Sequence, residues 1–271
     1  MLPHGKIFRQ AYQISRDNKF LWLFGLFLFL GNGISVGSSF VKVDLSGNQS
    51  IIAVIILFFL AMVYFRAQAG IISCIKAVLD KQITSFTQGL AAGRLFQWRL
   101  LGVAMIMNAG LFALTMIIIS PIFYLYHSHL LWRAGILSGL GLAILIPTSI
   151  IVALISVMAP MFIVFYDLKI GEAIRQSFEL VREFWLRLLV FSLLLFGINL
   201  LVSAGSIFVL LLYLAYHKVG LIVAGSLILL MVQPVLTCFA QTAWVLAFQE
   251  LIKPQKFEEE KVVATAVEPI S

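Results

Sequence analysis

Charge is what this chain has least of. Asp, Glu, Lys and Arg make up 11% of its 271 residues, apolar types make up 62%, and the mean hydropathy is +1.05. That balance excludes a soluble globule and leaves an integral membrane protein as the class. The 12 acidic residues are scattered, so no carboxylate pair suited to acid–base work can be picked out. His-Glu-x-x-His, Gly-x-Ser-x-Gly and a glycine-rich phosphate loop are all missing. His127 and His129 stand beside Arg133 without a third ligand in view, so neither a metal nor another cofactor is assigned. An intramembrane enzyme has no visible nucleophile–base set here, and a non-enzymatic role is expected. Cysteine is equally scarce. Cys74 and Cys238 give no disulfide framework and read as small apolar fillers.

What the chain does have is length of apolar run. A helix needs about 20 mostly apolar residues to cross the hydrocarbon core. Six stretches qualify: Phe20–Phe40, Ile51–Leu79, Leu100–Leu125, Ile136–Tyr166, Leu188–Tyr216 and Leu221–Leu251. Several exceed that length, so their ends must tilt, kink or emerge into the interface. The runs are continuous, which excludes alternating barrel strands. Phe20–Leu30 after a basic start also resembles a secretory signal, with Ser35-Val36-Gly37 as a faint cleavage site. The same basic-then-apolar unit recurs twice inside the chain, so an intact amino terminus is expected.

That unit is a repeat. Phe8-Arg9-Gln10 leads to Arg16, Phe86-Thr87-Gln88 to Arg94, and Ile174-Arg175-Gln176 to Arg182. The first and third copies align without gaps at a spacing of 166, pairing Tyr12 with Phe178 and Ile14 with Leu180. The middle copy, at a spacing of 78 from the first, keeps Phe86, Gln88 and Arg94 but carries Gly89 and Gly93. In the third copy Ile174, Ser177, Phe178, Val181 and Trp185 share one helical side, opposite Glu172, Arg175, Glu179, Arg182 and Glu183. In the first, Ile7, Phe8, Ala11, Tyr12 and Ile14 form the apolar stripe. Such helices are expected to lie in the interface, aromatics among acyl chains and cations at phosphates. Trp22, Trp98 and Trp185 precede the following crossings, where indole rings favour the boundary.

The expected architecture is therefore all-α and polytopic. Six transmembrane helices form three parallel repeats, each preceded by a cytoplasmic amphipathic interfacial helix. One membrane domain covers residues 1–252, with units of about 4–79, 80–168 and 169–252, and a mobile cytoplasmic tail follows at 253–271. Charge sets the orientation. Fifteen of the 19 Lys and Arg fall on the side of the repeat segments and tail, whereas Lys42, Arg133 and Lys218 fall opposite and Arg66 lies within a crossing. By the positive-inside rule both termini are cytoplasmic, in a cytoplasmic membrane. Those cations are needed at the lipid surface, so nucleic acid is not an expected partner and phospholipid is.

Two readings stay open for the polar residues. Gln10, Gln88 and Gln176 with the repeat arginines either belong to a solvated, phosphate-reaching face or build a docking surface for headgroups or another membrane protein. Arg66 in the second crossing is costly at about +2.5 to +3.5 kcal/mol. It is either a structural cation paired to a carbonyl or Gln, or part of a path. Asn32, Asn108 and Asn199 sit in the odd-numbered crossings and can serve as interhelical glue or line such a path. Gln233-Pro234 and Ala159-Pro160 mark expected kinks. Asp167 is expected to cap the segment that follows it.

The run Glu179-Leu180-Val181-Arg182-Glu183-Phe184-Trp185-Leu186-Arg187-Leu188 and the opening Asn18-Lys19-Phe20-Leu21-Trp22-Leu23-Phe24 carry a resemblance. They resemble the bacterial integral membrane domain family found fused to glycerophosphodiester phosphodiesterases, together with its stand-alone inner-membrane relatives. The resemblance implies a six-helix bundle associated with lipid or envelope upkeep. Nothing here matches the His-Arg start or paired acidic metal ligands of the fused catalytic domain, so no phosphodiesterase residue maps onto this chain. The preferred expectation is a lipid-associated or protein-interacting membrane module. The alternative is a transporter or channel with a path around Arg66, Asn108, Asn199 and Gln233. Mitochondrial carriers share the three-unit outline, but none of the seven prolines here begins their Pro-x-acidic-x-x-basic motif.

Overall fold

The structure, a computed structural model, describes residues 3–37, 48–128, 131–216 and 231–252. Lys42, His129, Lys218, the opening of the sixth expected crossing and the tail from Lys253 lie outside them. Among the described residues there is no strand. The helices are α1 (His4–Asp17), α2 (Leu21–Gly37), α3 (Asn48–Leu79), α4 (Phe86–His127), α5 (Leu131–Tyr166), α6 (Ile170–Tyr216) and α7 (Met231–Ile252). Five of these, α3 to α7, contain spans long and apolar enough to cross a membrane, and the apolar part of α2, Leu21–Gly31, is shorter.

Only the first basic segment forms a helix of its own. Asn18 leaves helical geometry at φ −112° and ψ 69°, and both its amide N and its Nδ2 donate to Ile14 O. A side chain that competes for backbone groups in this way favours helix ends. In the middle copy α4 runs unbroken from the basic segment into the apolar stretch for 42 residues. In the third, α6 is interrupted at Phe184 (φ −114°, ψ 23°), with the Arg187 guanidinium 5.2 Å from the Phe184 ring centre. A separate helix over the basic segment, expected three times, is thus present once among the described residues. Leu95, Phe96 and Gln97 offer no Asn18-like competitor, so α4 has no local reason to stop.

The chain divides into two compact units, Met1–Gln97 with Leu189–Ser271, and Trp98–Leu188. In the first, α2 packs on α3, and Phe24 fills the corner where α3 and α4 meet. Its ring would block a Cβ at Gly70 or Gly89, and it lies 4.7 Å from the Phe86 ring. At Gly93 a Cβ would fall on the Arg66 carbonyl. The glycines of the middle copy are therefore what lets α4 close onto the α3 backbone, as small residues do between membrane helices. Helix α1 rests on protein as well. Ile7, Ala11 and Ser15 are buried, Phe8 stacks on Phe191 at 5.5 Å, and Ser15 Oγ donates to Cys238 Sγ at 3.4 Å. Trp22 Nε1 donates to Ser15 O at 2.8 Å, satisfying a carbonyl that the end of α1 leaves unpaired.

In the second unit the α5 segment Leu154–Val164 carries the densest burial, with Met158, Ala159 and Ile163 fully enclosed. Pro160 sits inside this stretch of continuous helix. A Cβ at Gly141 would meet Ile118, and one at Gly102 would meet Ile170. Asp167, in left-handed geometry at φ 55°, does not cap α6. Its carboxylate instead accepts from Arg99 Nη1 at 2.5 Å, and the turn lies before Lys169, whose carbonyl opens α6.

Burial along each long helix is one-sided in length. Ala67–Ile75 of α3 are enclosed but Ile55–Phe59 are exposed, and Leu100 and Val103 of α4 are enclosed but Met105 to Tyr126 are largely exposed. Only 6% of the most apolar window of α4 is buried, against 56% for α7. Acyl chains, not water, suit such a surface.

The connection between α3 and α4 is closed by two caps. Lys81, at φ 57°, takes the left-handed position, with its amide donating to Val78 O and that of Gln82 to Ala77 O. Ser85 and Gln88 then form a reciprocal capping box: Ser85 N donates to Gln88 Oε1 at 3.1 Å, and Gln88 N donates to Ser85 Oγ at 3.4 Å. Two outcomes follow. Ser85→Ala should cost about 0.5–2 kcal/mol, read as a lower thermal unfolding midpoint in detergent. Gly93→Leu, driven into the Arg66 carbonyl, should cost about 1–3 kcal/mol by the same measurement.

Candidate functional site

The repeat arginines Arg9, Arg16, Arg94, Arg175 and Arg182 are all exposed, and so are Gln10, Gln88 and Gln176. The faces they occupy are set by what each helix buries. On α1 the buried line Ile7, Ala11, Ser15 leaves Arg9, Tyr12 and Arg16 on the far side, and Tyr12 is 59% exposed. On α6 the buried residues are Ala173, Ser177, Leu180 and Val181, and Phe178 and Trp185 face outward beside Arg175 and Arg182. Ile7, Ala11, Ser177 and Val181 lie on the buried side with the expected stripes, and the correction concerns the aromatics. Small residues at four-residue spacing make the protein contact, and the aromatics Tyr12, Phe178 and Trp185 stand with the cations. The apolar line of α1, expected among acyl chains, is occupied by protein. Arg175 Nε also donates to Glu179 Oε1 at 3.0 Å, an exposed pair of little energetic weight.

Gln88 has a specific local role, since its side chain closes the capping box of α4. The signal for this was in the sequence as Ser85-Phe86-Thr87-Gln88, and reading Gln88 only as a repeat marker passed over it.

Arg66 is drawn into the same place. Its Nε donates to Leu90 O at 3.0 Å, and its own carbonyl faces Gly93. By the helical rule Leu90 O also accepts the amide of Arg94. Arg66 therefore lies level with the basic segment of the middle copy. Successive α3–α4 contacts (Arg66 with Gly93, Gly70 with Gly89, Cys74 with Ser85 and Gly89) describe an antiparallel hairpin whose turn projects beyond that level. The apolar run Ile51–Leu79 is long because its last turns belong to this hairpin. A cleft of about 290 Å³ opens beneath the turn, bounded by Ser73, Cys74, Thr84, Gln88 and Ala92. The Ser73 hydroxyl is buried there with no partner among the described residues, while Thr84 Oγ1 donates to Cys74 Sγ at 3.3 Å.

The remaining polar residues are not gathered by the structure. Asn108 Nδ2 donates to Ala104 O at 2.8 Å and Asn199 Nδ2 to Leu195 O at 3.1 Å, each within its own helix. They supply no glue between helices through these bonds. Asn32 falls in α2, with its side chain outside the described part. Gln233 is half-buried, and its backbone carbonyl accepts from Thr237 Oγ1 at 2.9 Å. His127 packs edge-on against Phe123 at 4.7 Å. No cluster of three or more His, Cys, Asp or Glu among the described residues could hold a metal.

No curated protein and no solved structure matches this chain. Residues 2–251 match the family model of a domain of unknown function, DUF7847. That match spans nearly the whole chain, helices α1 to α7 included, and the chain belongs to this family.

Proposed function

We propose that the chain is a non-enzymatic, lipid-associated membrane module whose three basic segments form its working surface at the inner leaflet of a cytoplasmic membrane. It has six crossings in three parallel units, with both termini in the cytoplasm. A second membrane protein docking on the same surface belongs to this reading. So does its likeness to the membrane domains fused to glycerophosphodiester phosphodiesterases.

The observation that carries the reading is a recurrence of burial. Ile7, Ala11 and Ser15 are enclosed, and so are Ala173, Ser177 and Val181, which stand 166 residues later. Both segments leave helical geometry at matching residues, Asn18 and Phe184. Beyond the break the spacing becomes 167, and Leu21, Phe24 and Leu28 answer to Leu188, Phe191 and Leu195, all enclosed. In the middle copy Gly89 and Gly93, then Leu100 and Val103, take the corresponding places. Equivalent arginines are exposed in all three. Helix length supports the same reading: α4, at roughly 63 Å, is about twice the hydrocarbon core, so its basic end stands outside that core.

A solute path receives less support. The amides of Asn108 and Asn199 are engaged within their own helices, and Arg66 is level with Arg94 and not alone in a crossing.

Gentle extraction followed by lipid mass spectrometry tests the proposal. The protein should retain acidic phospholipid in excess over zwitterionic lipid, and the triple variant Arg16→Gln, Arg94→Gln, Arg182→Gln should lose most of that excess, at about 1 kcal/mol per cation. Saturable solute flux in reconstituted vesicles, lost in Asn199→Ala, would establish transport in its place.

A further inference from the structure

We propose that Arg66 and Arg94 together bind the phosphate of an acidic phospholipid at the α3–α4 crossing, Arg66 supplying the second arginine that the middle basic segment lacks. This rests on the lipid-facing reading above and names one site within it.

The first and third segments share the order Arg, aromatic, Arg on their exposed side: Arg9, Tyr12, Arg16 and Arg175, Phe178, Arg182. These positions, three and seven residues apart, lie along one helical face. The middle segment keeps only the last of them. Thr87 stands where the first arginine would be and Leu90 where the aromatic would be. Leu90 is the residue whose carbonyl receives Arg66 from α3 at 3.0 Å. A second cation is thus supplied to this segment from the neighbouring helix, level with Arg94 and not with Thr87, and Gly93 is the reason the α3 backbone can come close enough to deliver it. Arg66 Nε and the Arg94 amide meet at one oxygen, so the guanidinium arriving from α3 and the Arg94 side chain share a single turn of α4.

Charge decides what such a pair takes. From Asn48 to Arg99 the chain has one carboxylate, Asp80, at the hairpin turn, whereas Arg175 has Glu179 in contact. Arg99 meets its partner, Asp167, beyond that stretch. A guanidinium held by Nε has further N–H donors to offer, and paired guanidinium groups suit a phosphate better than one ammonium does. The crossing begins at Leu100, six residues after Arg94, which puts the pair at headgroup depth.

The full chain in detergent, titrated with phosphatidylglycerol or phosphatidylcholine and followed by native mass spectrometry, tests this. Phosphatidylglycerol should bind preferentially, and Arg66→Gln and Arg94→Gln should each weaken it about fivefold. The double variant should lose less than the product of the two, as expected for one shared site. Arg133→Gln, with the same change in net charge, should bind as the parent does. If Arg66→Gln fails to fold, Arg94→Gln and Arg66→Lys carry the test, the latter keeping the charge but losing the Nε bond. Preference for phosphatidylglycerol with both arginine variants indistinguishable from Arg133→Gln overturns this site and leaves the broader reading standing. No preference between the two lipids overturns both. Displacement of the lipid by millimolar inorganic phosphate would identify a soluble anion as the occupant and overturn the lipid assignment.

Discussion

The hairpin of α3 and α4 depends on backbone meeting backbone. Inside a bilayer apolar side chains gain nothing from leaving lipid, so helices associate through close van der Waals contact and hydrogen bonds. Gly70, Gly89 and Gly93 supply that contact, and Phe24 seals it from α2. The same closeness brings Arg66 to the Leu90 carbonyl. Packing and charge placement are thus one event. A side chain at Gly93 would separate the helices and strand the guanidinium together.

Fixing the ends of this hairpin falls to short-range chemistry. The left-handed Lys81 terminates α3 and the Ser85–Gln88 pair starts α4, leaving a short connection between them. No long loop has to be ordered, so little conformational entropy opposes the arrangement. The rest of α3 and α4 has a different solvent. Ile55–Phe59 and the stretch after Val103 expose large apolar side chains, whereas Ala67–Ile75 of α3 and Leu100 and Val103 of α4, nearer the cations, are mostly enclosed.

Much of this was legible in residues. Continuous apolar runs gave the ends of α3, α4, α5 and α6 to within a few positions, whereas α4 and α6 begin well before the runs at Leu100 and Leu188, because the basic segments are continuous with them. What could not be read was which side of each amphipathic helix meets protein. Hydrophobicity adds Tyr12 and Phe178 to the stripes, whereas close packing keeps Ala11 and Ser177 and takes in Ser15, whose small size no hydropathy scale rewards. Arg66 misled for a related reason. Counted along its own helix it lies deep, and only the partner helix shows that this depth is shared with Arg94. The in-helix bonds of Asn108 and Asn199 were equally hidden, because an amide in an apolar run can reach its own preceding turn.

The interruption at Phe184 has a mechanical corollary. One residue added to a continuous helix rotates everything downstream by about 100°. Where the backbone already departs from the helix, as at Phe184, an added residue is absorbed on the spot. The parts of α6 before and after Phe184 are therefore not bound to one helical register. Unbroken α4 keeps one helical register, and a single insertion between Arg94 and Leu100 would turn each later side chain by that same angle.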